Sequence, residues 1–245
     1  MTVPRTAVVL LAAGAGRRVG AGTNKVLLPL AGAPVFTWSL RRALELPGTT
    51  HVVLVVRPED RPEIDRGLAQ VAVHHEGARV WVVPGGATRH ASEWSALEAV
   101  AASVDAGEVD VVAIHDTARP LADADLFAEM VRVAHASGGA LPVRAQRALV
   151  PRETPRPGDL AQETELVAVQ TPQAFRAGPL LDAYRRAERD GFVGTDTASC
   201  VEAYTDLEIR CVASPATNIK ITFPEDVPLA ERLVSPPDAP HASNP

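Results

Sequence analysis

The chain has 245 residues, 46% of them hydrophobic, which is enough for the core of one α/β domain. A formal net charge of −6 and an aromatic content of 4% argue against a nucleic-acid surface built on positive charge and base stacking. The first apolar run follows a single basic residue and is interrupted by glycines, so we predict neither a signal peptide nor a membrane span, and expect a cytoplasmic protein.

Short Val-rich runs alternate with helical patterns along the chain. Strands are predicted at residues 6–11, 51–56, 80–83, 109–114, 140–143, 166–169 and 208–212. Helices are predicted at residues 35–46, 59–70, 89–102, 123–137, 178–190 and 225–233. Continuous apolar runs are typical of strands buried on both faces, and the alternation predicts a doubly wound, mostly parallel sheet in one domain over residues 1–234. Ligands of such sheets bind beyond the carboxyl ends of the strands, so the segments that follow the strands should share one rim.

Three features lie outside this alternation. Residues 144–163 are too long and too rich in proline for an ordinary connection, which predicts a lid or an arm packed on a partner subunit. The Pro- and Ser-rich residues 235–245 are predicted to be a disordered tail. Cys200 and Cys211 match no metal-binding or disulfide pattern, and we expect both to be reduced and buried.

Positive charge is concentrated at the start of the chain. Residues 1–44 contain six basic residues and no acidic one, and the chain has only two lysines, Lys25 and Lys220, beside 22 arginines. A lysine ammonium is a compact charge on a flexible stem, which suits contact with a phosphate. Both lysines lie in segments of the kind that form anion sites.

A glycine-rich segment, AAGAGRRVGAGTNK, follows the first predicted strand. It matches neither the dinucleotide fingerprint nor the Walker A frame. Its backbone amides could approach phosphates closely, with Arg18 and Lys25 reaching them from two sides. The alternative is an ordinary turn between a strand and a helix.

The segment PGGATRHAS follows the third long predicted strand. Gly85 and Gly86 permit close backbone approach, and Ser92 falls in the first turns of the next helix, where a hydroxyl could bind a base or sugar. A simple turn and helix cap explains this segment equally well.

The segment AIHDTARP follows the fourth long predicted strand. Asp116 could hold Mg²⁺ or a ribose there, and Arg119 could hold an anion. His115 next to Asp116 is also found in metal hydrolases, but the further ligands of such a site are not evident. No G-x-S-x-G elbow occurs in the chain, so a serine hydrolase is poorly supported.

Taken in order, six segments resemble the signatures of the 2-C-methyl-D-erythritol 4-phosphate (MEP) cytidylyltransferases and their pentitol-phosphate relatives. These segments are AAGAGRRVGAGTNK, PGGATRHAS, HDTARP, VQTPQAF, TDTAS and NIKITFPED, and the resemblance runs from about residue 6 to residue 233. It implies a nucleotidyltransferase fold with a projecting dimerisation arm, hence a homodimer. It also implies CTP as the donor of CMP, a small polyol phosphate as the acceptor, and Mg²⁺ as the cofactor.

The resemblance also implies roles for particular residues. Those that would bind the nucleotide are Ala12, Ala13, Gly14, Gly16, Gly85, Gly86 and Ser92. Those that would act in catalysis are Arg18 and Lys25 on the triphosphate and Lys220 on the attacking phosphate. Those that would face the acceptor are Asp116, Arg119, Thr171 and Thr195, and Asp116 is also the candidate metal ligand.

The chain departs from the family pattern mainly on the acceptor side. Where the family has Asp, Thr and Lys in PVxDTxK, this chain has Ala145, Gln146 and Ala148. Glu163 stands where the family places an arginine that reaches across the dimer to the acceptor phosphate, and Asn24 stands where proline is common. From the six family-like segments, the leading hypothesis is a cytidylyltransferase with MEP as the default acceptor. The alternatives are the same chemistry on another phosphorylated acceptor, a weakly active nucleotide-binding paralogue and, less favoured, a nicotinamide-dependent dehydrogenase.

Overall fold

A large mixed sheet with helices on both faces organises the residues that the structure describes, beside a small two-stranded sheet. The computed structural model describes residues 2–14, 24–71, 77–146 and 166–234. The strands in these residues are β1 (Thr6–Leu11), β2 (Pro29–Leu30), β3 (Ala33–Pro34), β4 (Thr49–Val56), β5 (Arg79–Pro84), β6 (Val111–Asp116), β7 (Gly138–Ala145), β8 (Val167–Val169), β9 (Gln173–Arg176) and β10 (Glu208–Ala213). The helices are α1 (Val35–Glu45), α2 (Arg61–Val71), α3 (Arg89–Asp105), α4 (Ala124–Ser137), α5 (Ala177–Asp190), α6 (Thr197–Tyr204) and α7 (Asp226–Val234).

The main sheet confirms the predicted fold class. Its strand order is β10-β7-β9-β6-β1-β4-β5, with β8 paired to β7. β1 lies between β6 and β4 and is parallel to both, and Leu11 at its end is in register with Val55 and Asp116. The carboxyl ends of these three strands therefore reach the same rim, which is where the sequence places its candidate ligand segments.

The core has two layers because successive side chains of a strand point to opposite faces. Val8 and Leu10 of β1 pack on the face covered by α1, α2 and α4, where Phe36 and Phe127 are fully buried. The intervening residues of β1 pack on the face covered by α3, α5 and α6, around Tyr184. Burial on both faces, predicted from the apolar runs, is confirmed for β1, β4 and β6.

The same prediction is wrong at residues 166–169 and at β10, and β5, the other edge strand, is only half-buried at residues 80–83. Leu166, Val167 and Val169 are exposed, since β8 is a three-residue strand that pairs only with the end of β7. β10 is an edge strand with one neighbour, in which Ile209 and Val212 are half-buried and the other four residues are exposed. Cys211 lies on this edge and is exposed, contrary to expectation, whereas Cys200 on α6 is buried as predicted; neither forms a disulfide.

Sequence periodicity missed the strand β9, which lies inside the main sheet, and the helix α6, which lies in one of the helix layers. β9 inserts antiparallel between β6 and β7, but four residues with one large apolar side chain are too short to show a strand pattern. α6 has eight residues and begins at a capping box in which Asp196 and Ser199 bond each other's backbone. Short elements of this kind depend on their neighbours rather than on their own periodicity.

Some predictions fall outside the described residues. Of the predicted arm at residues 144–163, only residues 144–146 are described; the first two end β7, and the backbone N–H of Gln146 donates to Leu166 O at 2.9 Å. The rest of the arm, the predicted tail and the site residues Gly16 and Arg18 lie outside the described part of the chain. No helix in the described part is long and apolar enough to cross a membrane.

Candidate active site

The carboxyl ends of β1, β5 and β6 open into a cavity of about 530 Å³. Seven of the residues predicted from the sequence line it, namely Ala13, Gly14, Lys25, Gly86, Ser92, Asp116 and Lys220. Residues that are distant in sequence therefore meet on the rim that doubly wound sheets use for ligands.

Close backbone packing forms one wall of the cavity. A Cβ atom on Gly85 would lie 2.3 Å from the Cβ of Ala13, and one on Gly86 would lie 2.5 Å from the Cβ of Ala91. Ala12 is buried beneath this wall, where its backbone N–H donates to Val55 O at 2.8 Å. Both glycines are therefore required by the packing of the loops, and this leaves backbone rather than side chain at the cavity surface.

Ser92 joins the loop after β5 to the start of α3. Its Oγ accepts from the N–H of Gly86 at 3.1 Å and donates to Thr88 O at 2.9 Å. Thr88 is the N-cap of α3, and its Oγ1 accepts from the N–H of Ala91 at 3.0 Å. The turn-and-cap interpretation of this segment is thus correct, and it is compatible with binding because Ser92 also lines the cavity.

Asn24, the residue that precedes Lys25, anchors this segment to the rest of the site. Its Nδ2 donates to Ala12 O at 2.8 Å and to Asp60 Oδ2 at 2.7 Å. Asp60 in turn accepts two hydrogen bonds of 2.7 Å from Arg57, and both Asn24 and Asp60 are buried. Lys25 begins a short 3₁₀ turn that Asn24 caps, so its backbone is tied to the ends of β1 and β4.

Asp116, the last residue of β6, is the carboxylate of the site. Lys220 Nζ donates to its Oδ2 at 2.5 Å, and Arg89 Nη1 donates to its Oδ1. Burial by itself would raise the pKa of Asp116, but attraction to Arg89 and Lys220 outweighs burial and holds that pKa well below its usual range. Asp116 is therefore an ionised acceptor of hydrogen bonds throughout the physiological pH range.

His115 supports the strand end from inside the protein. Its Nε2 lies 3.1 Å from Arg119 O, and its Nδ1 lies 3.1 Å from Thr171 Oγ1. Because a carbonyl can only accept, we assign the proton to Nε2, leaving Nδ1 to accept from Thr171. Burial lowers the pKa of His115 to about 4, so the ring is neutral. No group of three His, Cys, Asp or Glu side chains in the described residues could hold a metal, so the similarity to metal hydrolases is not supported there.

The segment that carries Lys220 is held by its neighbours. The N–H of Ile221 donates to Ala118 O at 2.8 Å, and Arg119 Nη1 donates to Asn218 O at 2.9 Å. Asn218 is fully buried, and its Nδ2 lies 3.1 Å from both Gln170 Oε1 and Thr171 O. Asn218 was not singled out from the sequence, although it precedes Lys220 by two residues.

Three predicted acceptor residues are not among those lining the cavity. The Thr171 hydroxyl accepts from the N–H of Asp116 at 3.0 Å and contacts His115, while Arg119 is engaged by Asn218. Thr195 is exposed just before α6, and its N–H donates to Ser199 Oγ at 3.0 Å. Their contact with an acceptor stays a prediction.

Sequence reasoning overlooked Arg89 and Glu93. Arg89 lines the cavity, and its Nε lies 2.9 Å from Glu93 Oε1 as an ion pair without the angle of a hydrogen bond. The i,i+4 spacing of the two residues is typical of an exposed ion pair on a helix. This spacing therefore gave no sign that Glu93 is fully buried. Burial raises the pKa of Glu93, and attraction to Arg89 opposes that shift.

Comparison with known proteins gives one consistent result. A family model described as IspD, 2-C-methyl-D-erythritol 4-phosphate cytidylyltransferase, matches residues 6–235. The chain is 35% identical over 228 residues to the cytidylyltransferase of that name from Bacillus velezensis, covering 93% of this chain and 94% of the relative. It is 37% identical over 235 residues to the one from Symbiobacterium thermophilum, covering 93% and 92%.

Solved structures agree on the fold. The 4-diphosphocytidyl-2C-methyl-D-erythritol synthase of Anaerococcus prevotii superposes with a TM-score of 0.74 at 22% identity, covering 94% of this chain and 96% of that one. The 2-C-methyl-D-erythritol 4-phosphate cytidylyltransferase of Thermus thermophilus superposes with a TM-score of 0.66 at 28% identity, covering 92% and 96%.

Proposed function

Because this chain belongs to the 2-C-methyl-D-erythritol 4-phosphate cytidylyltransferase family, we propose that it transfers CMP from CTP to MEP, a step of isoprenoid precursor synthesis. The observation that carries this proposal is the meeting of Lys25, Lys220, Arg89 and Asp116 in one cavity that the glycine Gly86 also lines. With Arg57, four cations and one carboxylate of the described residues line the cavity, a balance that suits a polyanionic substrate better than a neutral one.

The reaction needs positioning more than proton transfer. An oxygen of the acceptor phosphate attacks the α-phosphorus of CTP, a new P–O bond forms, and the bond to the bridging oxygen breaks as pyrophosphate leaves. The acceptor phosphate is mostly dianionic at pH 7, because its second pKa is about 6. No general base is required, which is consistent with His115 being buried, neutral and engaged on both ring nitrogens. Lys25 and Lys220 would stabilise the charge that develops on the phosphates.

Mg²⁺ is a further part of the proposal, and the residues of the site fit it. Asp116 is an ionised oxygen ligand at the cavity, and a carboxylate can accept from Arg89 and Lys220 and still offer a lone pair. A site with one carboxylate is ordinary for Mg²⁺, which commonly completes its shell with substrate phosphates and water. When bound, the metal would neutralise triphosphate charge.

We also propose that the protein is a homodimer joined through its arm. Leu166, Val167 and Val169, next to the predicted arm, expose apolar side chains that a partner subunit would cover. The departures at Ala145, Gln146, Ala148 and Glu163 fall in or beside the same region, where the family pattern places acceptor contacts. Sedimentation of the intact chain and of an arm-deleted variant tests this proposal, and a monomer at micromolar concentration would refute it.

The decisive experiment for the function is a pyrophosphate-release assay. Each of CTP, UTP, ATP and GTP is paired with MEP and with a panel of other polyol phosphates in the presence of Mg²⁺. We expect turnover with CTP and MEP above all other pairs. Preference for a purine nucleotide would refute the donor, and preference for another polyol phosphate would refute the acceptor while leaving the chemistry intact.

A further inference from the structure

A fully buried acid lies beneath the cavity without lining it. Glu93 is on α3, one turn after Arg89, and its side chain has no exposure to solvent. Removing a carboxylate from water is costly unless it is paired and hydrogen-bonded, so a buried acid at this place calls for an explanation.

Glu93 is held from three directions. Arg89 of its own helix lies 2.9 Å from Oε1, Thr197 Oγ1 at the start of α6 donates to Oε1 at 3.0 Å, and the Tyr184 hydroxyl of α5 donates to Oε2. Both carboxylate oxygens are therefore engaged. Glu93 therefore connects α3, whose first turns line the nucleotide side of the cavity, to α5 and α6.

Beyond Arg89 the network continues into the cavity. Arg89 uses Nη1 for Asp116, and Asp116 also accepts from Lys220, so the charges alternate in the order Glu93, Arg89, Asp116, Lys220. Arg89 is thus shared between two carboxylates, one inside the protein and one at the site. Neutralising the inner carboxylate would leave Asp116 as the sole counter-ion of Arg89, and Asp116 would then be less able to serve another cation.

We propose that Glu93 is a positioning residue of this site, which holds Arg89 between two carboxylates so that Asp116 remains available to a metal–triphosphate. The inference rests on the proposed function, including its metal. A merely structural role is less economical, because apolar side chains in place of Glu93 and of the Tyr184 and Thr197 hydroxyls would join the same helices without the cost of burying a charge.

The test compares Glu93→Gln with Tyr184→Phe. Glutamine keeps the shape and hydrogen-bonding capacity of Glu93 but removes its charge, and Tyr184→Phe removes one hydroxyl of the same network but no charge. The dissociation constant of CTP is measured by calorimetry with and without Mg²⁺, beside kcat, KM and thermal unfolding. We expect the Mg²⁺-induced gain in CTP affinity to fall at least about fivefold in Glu93→Gln, the scale of coupling within one ion-pair network. Affinity for CTP without Mg²⁺ should be unchanged or higher.

Tyr184→Phe should lower the unfolding temperature and leave the Mg²⁺ effect as in wild type. An equal loss of the Mg²⁺ effect in both variants, or no loss in Glu93→Gln, would overturn the role of Glu93 and leave the proposed function standing. A wild-type protein whose CTP affinity ignores Mg²⁺ would overturn the metal and this inference together.

A double variant covers the case in which Glu93→Gln does not fold. Glu93→Met with Arg89→Met replaces the ion pair between buried Glu93 and half-buried Arg89 by apolar chains, a change that proteins often tolerate for buried ion pairs. Loss of the Arg89 charge should weaken CTP binding as a whole, because Arg89 is a cation of the cavity. Arg89 no longer competes for Asp116, however, so the factor by which Mg²⁺ strengthens CTP binding should be at least as large as in wild type. A weaker Mg²⁺ effect in this variant would contradict the inference.

Discussion

The two sides of the cavity are built in different ways. On the nucleotide side, Gly86 and Ser92 bond within one loop and the first turns of α3, and the backbone of Gly85 packs against Ala13 after β1. The acceptor side is made by side chains far apart in sequence, such as Asp116 and Lys220, which are separated by 104 residues. Backbone packing therefore builds the nucleotide side, and charge pairing builds the acceptor side. Substitutions on the nucleotide side should change stability and CTP binding, whereas substitutions on the acceptor side should change kcat.

The largest effect is expected from removing the carboxylate of the acceptor side. Asp116→Asn should lower kcat about 10³-fold, because Arg89 and Lys220 lose their shared counter-ion and the proposed metal loses its ligand. Pyrophosphate release under saturating CTP and MEP measures the change. Asp105→Asn, which breaks an exposed ion pair with Arg185, is the matched control and should leave kcat unchanged. Activity of Asp116→Asn within tenfold of wild type would show that charge pairing is not what builds this side.

A cation next to the nucleotide side should matter nearly as much. Lys25→Ala should lower turnover by at least about 10²-fold, the scale for losing one contact to charge that develops in the transition state. Its fold should survive, because the side chain of Asn24 ties this segment to the ends of β1 and β4. Arg132→Ala, on an exposed turn of α4, controls for loss of a positive charge. A near-normal kcat in Lys25→Ala would mean that the loop is only structural.

The acceptor side should also make stability depend on pH. The pKa of His115 is about 4 in the folded protein and near 6.5 when unfolded, so folding favours the neutral ring. This contribution is complete above pH 6.5 and is lost as the pH falls toward 4, by about 2 to 3 kcal/mol. Urea unfolding at several pH values between 7 and 4.5 measures it. His115→Asn, which cannot titrate, should show a shallower decline, and an identical slope in both proteins would contradict the buried neutral ring.

The smallest effect is expected from adding a methyl group to the close packing of the nucleotide side. Gly85→Ala places a Cβ 2.3 Å from the Cβ of Ala13, and such overpacking should cost about 1 to 3 kcal/mol of unfolding free energy and weaken CTP binding. Gly178→Ala is the control, because no atom lies within 4 Å of its added Cβ and alanine favours the helix α5. Calorimetry with CTP and thermal unfolding report the two outcomes. Equal stability of the two variants would show that close packing does not govern the nucleotide side.

Local sequence determined much of this protein. The Val-rich runs predicted the long strands, and the spacing of Gly85, Gly86 and Ser92 predicted a backbone-lined loop leading into a helix. These features can be inferred without the fold because the interacting groups lie within a few residues of one another. The rule that ligands bind at the carboxyl ends of parallel strands then placed Asp116 at the rim.

Only the tertiary structure decided which residues lie inside and which charges meet. Cys211 and residues 166–169 look like core residues in the sequence, but they lie on a sheet edge and on a short peripheral strand. Arg89 and Glu93 look like an exposed helix pair, but α5 and α6 cover Glu93, and Arg89 pairs with Asp116 in the cavity. The physical reason is that burial and long-range pairing depend on strand order and helix packing, which no short window of sequence contains.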